Sequence, residues 1–300
     1  MKRLVVLSLM LTVGVLSIAV SAFQAGQQIE RIVEVEKVKD NLFVLKGGGG
    51  NTGVFVASNG VVVIDTKNQG WGQPVIDAIG TFTDEPVITI INTHTHGDHT
   101  SGNVEFPATV EVVAHANTKT NMTKATGPRD ERNDIFKGEN AKFLPKRTFT
   151  DRMSLGQGAD RIDLYYFGRG HTDGDAWIIF PALRVMQAGD SFSGKNPPYL
   201  DARNGASSLD YPETLARAVK TIDNVDLVIS GHAGVMTWED LRTYADFNRE
   251  LLGAVTASLK SGQSVEEVAN TYSIPAKYKD YDFRYPFKDY VQVVSVQMPG

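Results

Sequence analysis

The sequence predicts an α/β protein in which mixed β-sheets are covered by helices, and three observations carry that prediction. The first apolar runs come at hairpin spacing, with Ser58-Asn59-Gly60 as a turn between two of them. From Trp71 onward, helix-like patterns alternate with strand-like runs. The length, 300 residues of which 42% are hydrophobic, allows one sizeable core.

Strand-like runs lie at Leu42–Lys46, Gly53–Ala57, Gly60–Thr66, Val87–Thr93, Thr109–Ala114, Arg161–Phe167, Ala176–Phe180, Arg184–Ala188 and Asp226–Ser230. Helical spacing lies at Trp71–Thr81, Asn117–Lys124, Tyr211–Ile222 and Trp238–Lys260. Pro212 suits the first turn of the third helix, with Asp210 as its cap. Gly47–Gly50 is not followed by Lys-Ser or Lys-Thr and opens no helix, so it is a flexible loop near a cleft and not a phosphate loop. Residues 127–147, with Arg129, Asp130, Glu131 and Arg132 in a row, form a solvated excursion or a substrate-facing lid. Ser264–Val268 has the pattern of a short capped helix. Residues 278–290 are rich in Tyr and Phe without helical periodicity and read as an arm packed over the core. The expected organisation is a signal peptide at 1–22, a main domain at 30–262 and the C-terminal helix and arm at 263–300.

The signal reading rests on Lys2 and Arg3, the apolar stretch Leu4–Val20 and the small residues Val20-Ser21-Ala22. An uncleaved membrane anchor is the alternative, at the lower length limit for a span. Export to the periplasm or medium is expected, with no stable membrane insertion after cleavage. The absence of cysteine fits an oxidising compartment and removes any thiolate ligand or nucleophile. Formal charge is −5, and −7 without Lys2 and Arg3. With no basic run, nucleic acid is excluded as a partner and a small molecule is expected instead.

The chemistry is concentrated in His94-Thr95-His96-Gly97-Asp98-His99. A strand leaving into a tight turn at Gly97 would aim His94 and His96 to one side, with Asp98 and His99 following around the turn. Hydrolytic zinc sites need such a mixture of neutral imidazoles and a hard carboxylate. The chain has six histidines, and the others are His115, His171 and His232. His171 lies in Gly168-Arg169-Gly170-His171-Thr172-Asp173-Gly174-Asp175, a glycine-rich turn between two strands. Asp190 ends Val185-Met186-Gln187-Ala188-Gly189-Asp190, and His232 ends Leu227-Val228-Ile229-Ser230-Gly231-His232. Ligand-type residues just past strand ends are where α/β proteins build sites. His115, at the end of Val110–Ala114, reads as a structural histidine, the alternatives being a further ligand or a proton shuttle.

This ordered set resembles the metallo-β-lactamase superfamily, from about Val33 to about Leu251. The resemblance implies an αββα sandwich with metals in a cleft at one edge of two mixed sheets. It implies that His94, His96 and His171 hold one zinc ion, that Asp98, His99 and His232 hold a second, and that Asp190 bridges them; iron or manganese are alternatives. Asp65, ending Val61-Val62-Val63-Ile64-Asp65, matches an acidic strand end that supports the ligands from behind, or else is a turn residue closing the strand. A dinuclear zinc hydrolase would attack an ester, lactone, thioester or lactam carbonyl with a metal-bound hydroxide, and Asp98 would orient the nucleophile or carry its proton. Lactamases of the superfamily carry Cys or Ser where this chain has Asp190. A bridging Asp is similar to glyoxalase II, and the Gly-His-Thr-Asp-Gly-Asp turn to quinoprotein-associated metallohydrolases, which points away from efficient β-lactam hydrolysis. A mononuclear iron persulfide dioxygenase of the same fold is the alternative. The loop Ser191–Ala206, with Lys195, Asn196, Tyr199 and Arg203, is the expected source of substrate contacts.

Overall fold

A computed structural model describes residues 31–124 and 135–299. The chain divides into two units, Met1–Ile32 and Val33–Gly300. The expected signal segment, residues 1–22, lies outside the described residues, as do Arg129, Asp130, Glu131 and Arg132.

The second unit is built on a seven-stranded sheet and a six-stranded sheet. In the first, β1 (Glu34–Lys39), β2 (Leu42–Lys46), β3 (Thr52–Ala57) and β4 (Gly60–Ile64) form an antiparallel meander, and β5 (Val87–Asn92), β6 (Glu111–His115) and β7 (Arg147–Phe149) then run parallel to β4. The second sheet runs β13 (Val235–Thr237), β12 (Leu227–Ser230), β11 (Val185–Gly189), β10 (Trp177–Phe180), β9 (Ile162–Tyr165), β8 (Arg152–Leu155), and β11 and β12 are its parallel pair.

Period-two alternation sorts the central strands between two apolar layers. In β4, Val62 and Ile64 face the second sheet, where Leu164, Ile178, Phe180 and Ile229 meet them. Val61 and Val63 face outward onto Val75, Ala78 and Ile79 of helix α1 (Gly72–Ile79). Every residue of β4 is buried, as a strand covered on both faces requires. On the far side of the second sheet, Trp177, Ile179, Met186 and Val228 pack beneath Leu215, Leu241 and Phe247 of α4 (Tyr211–Thr221) and α5 (Trp238–Lys260). Helix, sheet, sheet and helix follow one another: the αββα sandwich.

The long helix α5 starts from a capping box: Thr237 Oγ1 accepts from the Asp240 amide at 3.1 Å, and Asp240 Oδ2 accepts from the Thr237 amide at 2.9 Å. Thr237→Ala is expected to cost about 1 kcal/mol, measured by urea unfolding, with metal content unchanged.

Several expectations are corrected. Asp210 precedes α4 without a side-chain cap, because its carboxylate accepts from Arg169 Nε at 3.0 Å. Gly47–Gly50 is a pinned loop, not a flexible one: Lys67 Nζ donates to the carbonyl of Gly50 at 2.9 Å, and the Gly50 amide donates to that of Asp98 at 2.9 Å. The described part of 127–147 is a solvated excursion with an anchor: Lys137, Glu139, Lys142, Lys146 and Arg147 are exposed, while Phe136 and Phe143 are buried against Met122. The expected arm, 278–290, packs over the core but from Phe287 runs into a helix, α7 (Phe287–Gln297), while the short capped helix expected at Ser264–Val268 is present as α6 (Val265–Thr271). Phe287, Tyr290, Val291 and Val294 bury the inner face of α7 in the same cluster as Leu241. Among the described residues, no helix is long and apolar enough to cross a membrane.

Candidate metal centre

Parallel strands place their C-terminal ends on one edge of each sheet, and the ligand-type residues gather there. Asp65 follows β4, and His94 lies two residues beyond β5. Asp190 follows β11, and His232 lies two residues beyond β12. His171 comes from the turn between β9 and β10. Gly97 does not make a tight turn as expected; it opens a single helical turn, α2 (Gly97–Thr100), with His96 as its extended N-cap. That turn carries Asp98 and His99. Asn51 ties the two sheets beside the site: its amide donates to Gly231 O at 2.7 Å and its side chain to Ser230 O at 2.9 Å.

Two groups result. His94, His96, His171 and Asp190 offer ligand atoms that converge on one point, and Asp98, His99 and His232 on a neighbouring one. In the first, His171 Nε2 lies 2.9 Å from His96 Nδ1 and 3.6 Å from Asp190 Oδ2. In the second, His232 Nε2 lies 3.3 Å from His99 Nε2 and 3.4 Å from Asp98 Oδ2. Asp190 reaches both, at 3.4 Å from His99 Nε2 through Oδ1 and 3.3 Å from His232 Nε2 through Oδ2. Ligands about 2.0–2.1 Å from a tetrahedral zinc stand about 3.3 Å apart, so this spacing suits that ion.

His94 Nε2 and Asp190 Oδ1 are buried without a hydrogen-bond partner. Burying such atoms unpaired costs roughly 1–3 kcal/mol each, which a cation between them would offset. The residues present therefore fit a metal. Burial, then His99 and His171, hold His94 well below the usual imidazole range. Burial and His96 push His171 down to about 4. Both are neutral, the form a metal binds. For Asp190 burial works against ionisation, yet His99 and His232 outweigh it and hold the carboxyl well below its usual range.

The far nitrogens of four of these histidines are also fixed. Asp65 Oδ2 accepts from His99 Nδ1 at 2.7 Å and from Thr93 Oγ1 at 2.6 Å, and Thr93 Oγ1 lies 3.0 Å from His94 Nδ1. His171 Nδ1 donates to the Tyr199 carbonyl at 2.7 Å. His96 Nε2 donates to Asp201 Oδ2 at 2.9 Å. Such partners set the tautomer and aim the ring. Asp65, fully buried, sits at φ 64°, a left-handed conformation that Asp tolerates better than most residues.

Asp201 and Thr93 were not anticipated from sequence, and only their place beside ligand segments could have marked them. Asp201→Ala is expected to weaken retention of the ion on His96 roughly 10–100-fold, read by chelator competition; unchanged affinity would show that packing alone holds the ring.

The expected substrate contacts divide. Tyr199 lines the cleft with Asp98, Asp201, Arg203, His232 and Tyr285. Lys195 and Asn196 do not line it. Lys195 Nζ pairs with Asp240 Oδ1 at 2.8 Å, and the buried Asn196 side chain donates to Pro197 O at 2.8 Å. His115 is placed as a structural residue: Nε2 donates to Thr150 O at 3.1 Å and Nδ1 accepts from the Asn117 amide at 3.2 Å, capping α3 (Ala116–Thr123). Both ring nitrogens are committed.

Comparison with known proteins agrees with this geometry. Residues 45–236 match the model of the metallo-beta-lactamase superfamily. A metallo-beta-lactamase type 2 from Elizabethkingia meningoseptica is 29% identical over 241 residues, covering 75% of this chain and 88% of that protein. The alpha subunit of a 2,4-dinitroanisole O-demethylase from Nocardioides sp. (strain JS1661) is 24% identical, covering 86% of this chain and 75% of that protein. Among solved structures, a metallo-beta-lactamase from Pontibacter korlensis superposes with a TM-score of 0.59 at 19% identity, over 73% of this chain and 99% of that one. The sandwich, the order of ligand segments and the family match agree, and the chain belongs to the metallo-β-lactamase superfamily.

Proposed function

We propose that the protein is a dinuclear zinc hydrolase of small carbonyl compounds: esters, lactones, thioesters or lactams. One ion would sit on His94, His96 and His171, the other on Asp98, His99 and His232, with Asp190 between them. The observation that carries this reading is the convergence of these side chains around His94 Nε2, a buried atom without a hydrogen-bond partner, with Asp190 reaching both groups. Bound zinc supplies a water whose pKa falls to about 7 and a Lewis acid for the carbonyl.

The chain's own groups do the rest. Asp98 lines the cleft and its carboxyl is held below the usual range, because His99 and His232 outweigh the opposing effect of burial. It is therefore anionic at neutral pH and able to orient the attacking water by accepting a hydrogen bond from it. Asp65, Asp201 and the Tyr199 carbonyl keep the imidazoles aimed. In the reaction the water oxygen joins the acyl carbon, the bond to the leaving group breaks, and the leaving group departs with a proton. The Asp at position 190 favours this broad hydrolase reading over a dedicated lactamase. We also propose that residues 1–22 are removed on export to the periplasm or medium; intact-protein mass spectrometry of the exported fraction tests that.

The test of the activity is metal analysis of protein purified without added metal, followed by a panel of ester, lactone, thioester and lactam substrates. An aryl methyl ether joins the panel on account of the demethylase relative. Two zinc ions per chain with carbonyl turnover is the expected result. At most one tightly held ion, or iron with persulfide-dependent oxygen uptake, would overturn it.

A further inference from the structure

Beside the metal cleft, of about 200 Å³, lies a second chamber of about 250 Å³. The two share Tyr199, Asp201, Arg203 and Tyr285 as a common wall. Beyond that wall the lining includes Pro197, Pro198 and Leu200 from the loop after β11 and Pro286 and Phe287 from the C-terminal segment, with Asp289 as a charged member. Tyr199 is 38% exposed, and its ring centroid stands 5.9 Å from that of His171, 6.1 Å from His96 and 5.6 Å from Tyr285. Tyr285 is held there because Pro286 leads straight into α7, whose Phe287, Tyr290, Val291 and Val294 are anchored in the core. Asp201 is turned away to His96 and Asn204, so its charge is spent on those partners.

We propose, building on the hydrolase reading, that this chamber selects carbonyl substrates carrying a single aromatic ring, with Tyr199 and Tyr285 as specificity-determining residues. An apolar cavity of about 150 Å³ takes a benzene molecule, so a chamber of about 250 Å³ takes one ring and a short linker. It falls below the roughly 300–1,000 Å³ of sites for larger ligands. Aromatic walls reward a ring beyond its buried area, by about 2- to 12-fold in binding. Tyr199, in the shared wall, stands directly beside two candidate ligand rings, so a ring bound against it lies next to the metal cleft.

The test compares methyl phenylacetate with methyl acetate, which share a leaving group too small to occupy the chamber. With the zinc-loaded enzyme, kcat/KM is expected to favour the phenylacetyl ester by about tenfold or more. Tyr285→Ala and Tyr199→Ala should bring the ratio to within about threefold with zinc content retained, whereas Tyr285→Phe keeps it. No preference in the parent enzyme, or a preference that both alanine variants keep, would overturn the proposal. Calorimetry of phenylacetate and acetate binding to the zinc-loaded protein separates the two readings. If no ester is turned over but phenylacetate binds more tightly in a Tyr285-dependent way, the ring site stands and the hydrolase reading falls. If esters are hydrolysed and the two acids bind alike, the ring site falls and the hydrolase reading stands.

Discussion

Asp190→Ala is expected to abolish turnover and release at least one of the two proposed metals, while His115→Ala keeps both. Asp190 reaches candidate ligand nitrogens in both groups: His171 on one side, His99 and His232 on the other. Two divalent cations at close range need an anion between them, and alanine supplies none. Loss of a direct ligand should exceed the roughly 10–100-fold loss of metal affinity or activity seen when outer partners are removed. His115 has both nitrogens in hydrogen bonds to the backbone, so its removal is a stability change of about 1–3 kcal/mol for a lost cap and a small cavity. Metal content and ester turnover on both variants decide the matter. A His115 variant that loses a metal, beside an Asp190 variant that does not, would mean the ligand set is wrong.

Gly231→Ala is expected to cause the second large loss, without replacing any candidate ligand. A Cβ at Gly231 would lie 2.0 Å from Asp190 Oδ1 and 2.8 Å from the Gly189 carbonyl, so the carboxylate or the strand end must shift. A misplacement of about 1 Å at a reacting centre can cost about 10²-fold, and that is the loss expected in kcat/KM, with weaker metal retention. Gly234→Ala is the control, since nothing lies within 4 Å of the Cβ it would add. Equal behaviour of the two variants would show that Asp190 has more room than the packing indicates.

The candidate ligands stand out in the sequence because each sits in a short local pattern. Four are packed into His94–His99, and Asp190 and His232 each follow a glycine at the end of an apolar strand. Strands with both faces covered, such as β4, were equally plain as unbroken apolar runs. What escaped notice lacked a local signature. Asp201 meets His96 across 105 residues of sequence, and Lys195 was drawn off by Asp240, on a helix far along the chain. The strands β1, β7, β8 and β13 are short or largely exposed, so too few side chains are buried to leave a period. Helix α7 does carry one, at Phe287, Tyr290, Val291 and Val294, but its valines favour strand and half of its repeat lies beyond Tyr290. Tyr285 gained its place only through that helix.

The ligands come from both lobes of the sandwich: His94, His96, Asp98 and His99 from the loop after β5, and His171, Asp190 and His232 from segments of the second sheet. Ions seated between them would act as rivets along one rim. Separating the sheets at that edge would then break coordination bonds as well as apolar contact, so the lobes would open together or not at all. With the rivets out, each lobe is free to breathe at the rim on its own, and the rim becomes the first place where backbone amides exchange with solvent.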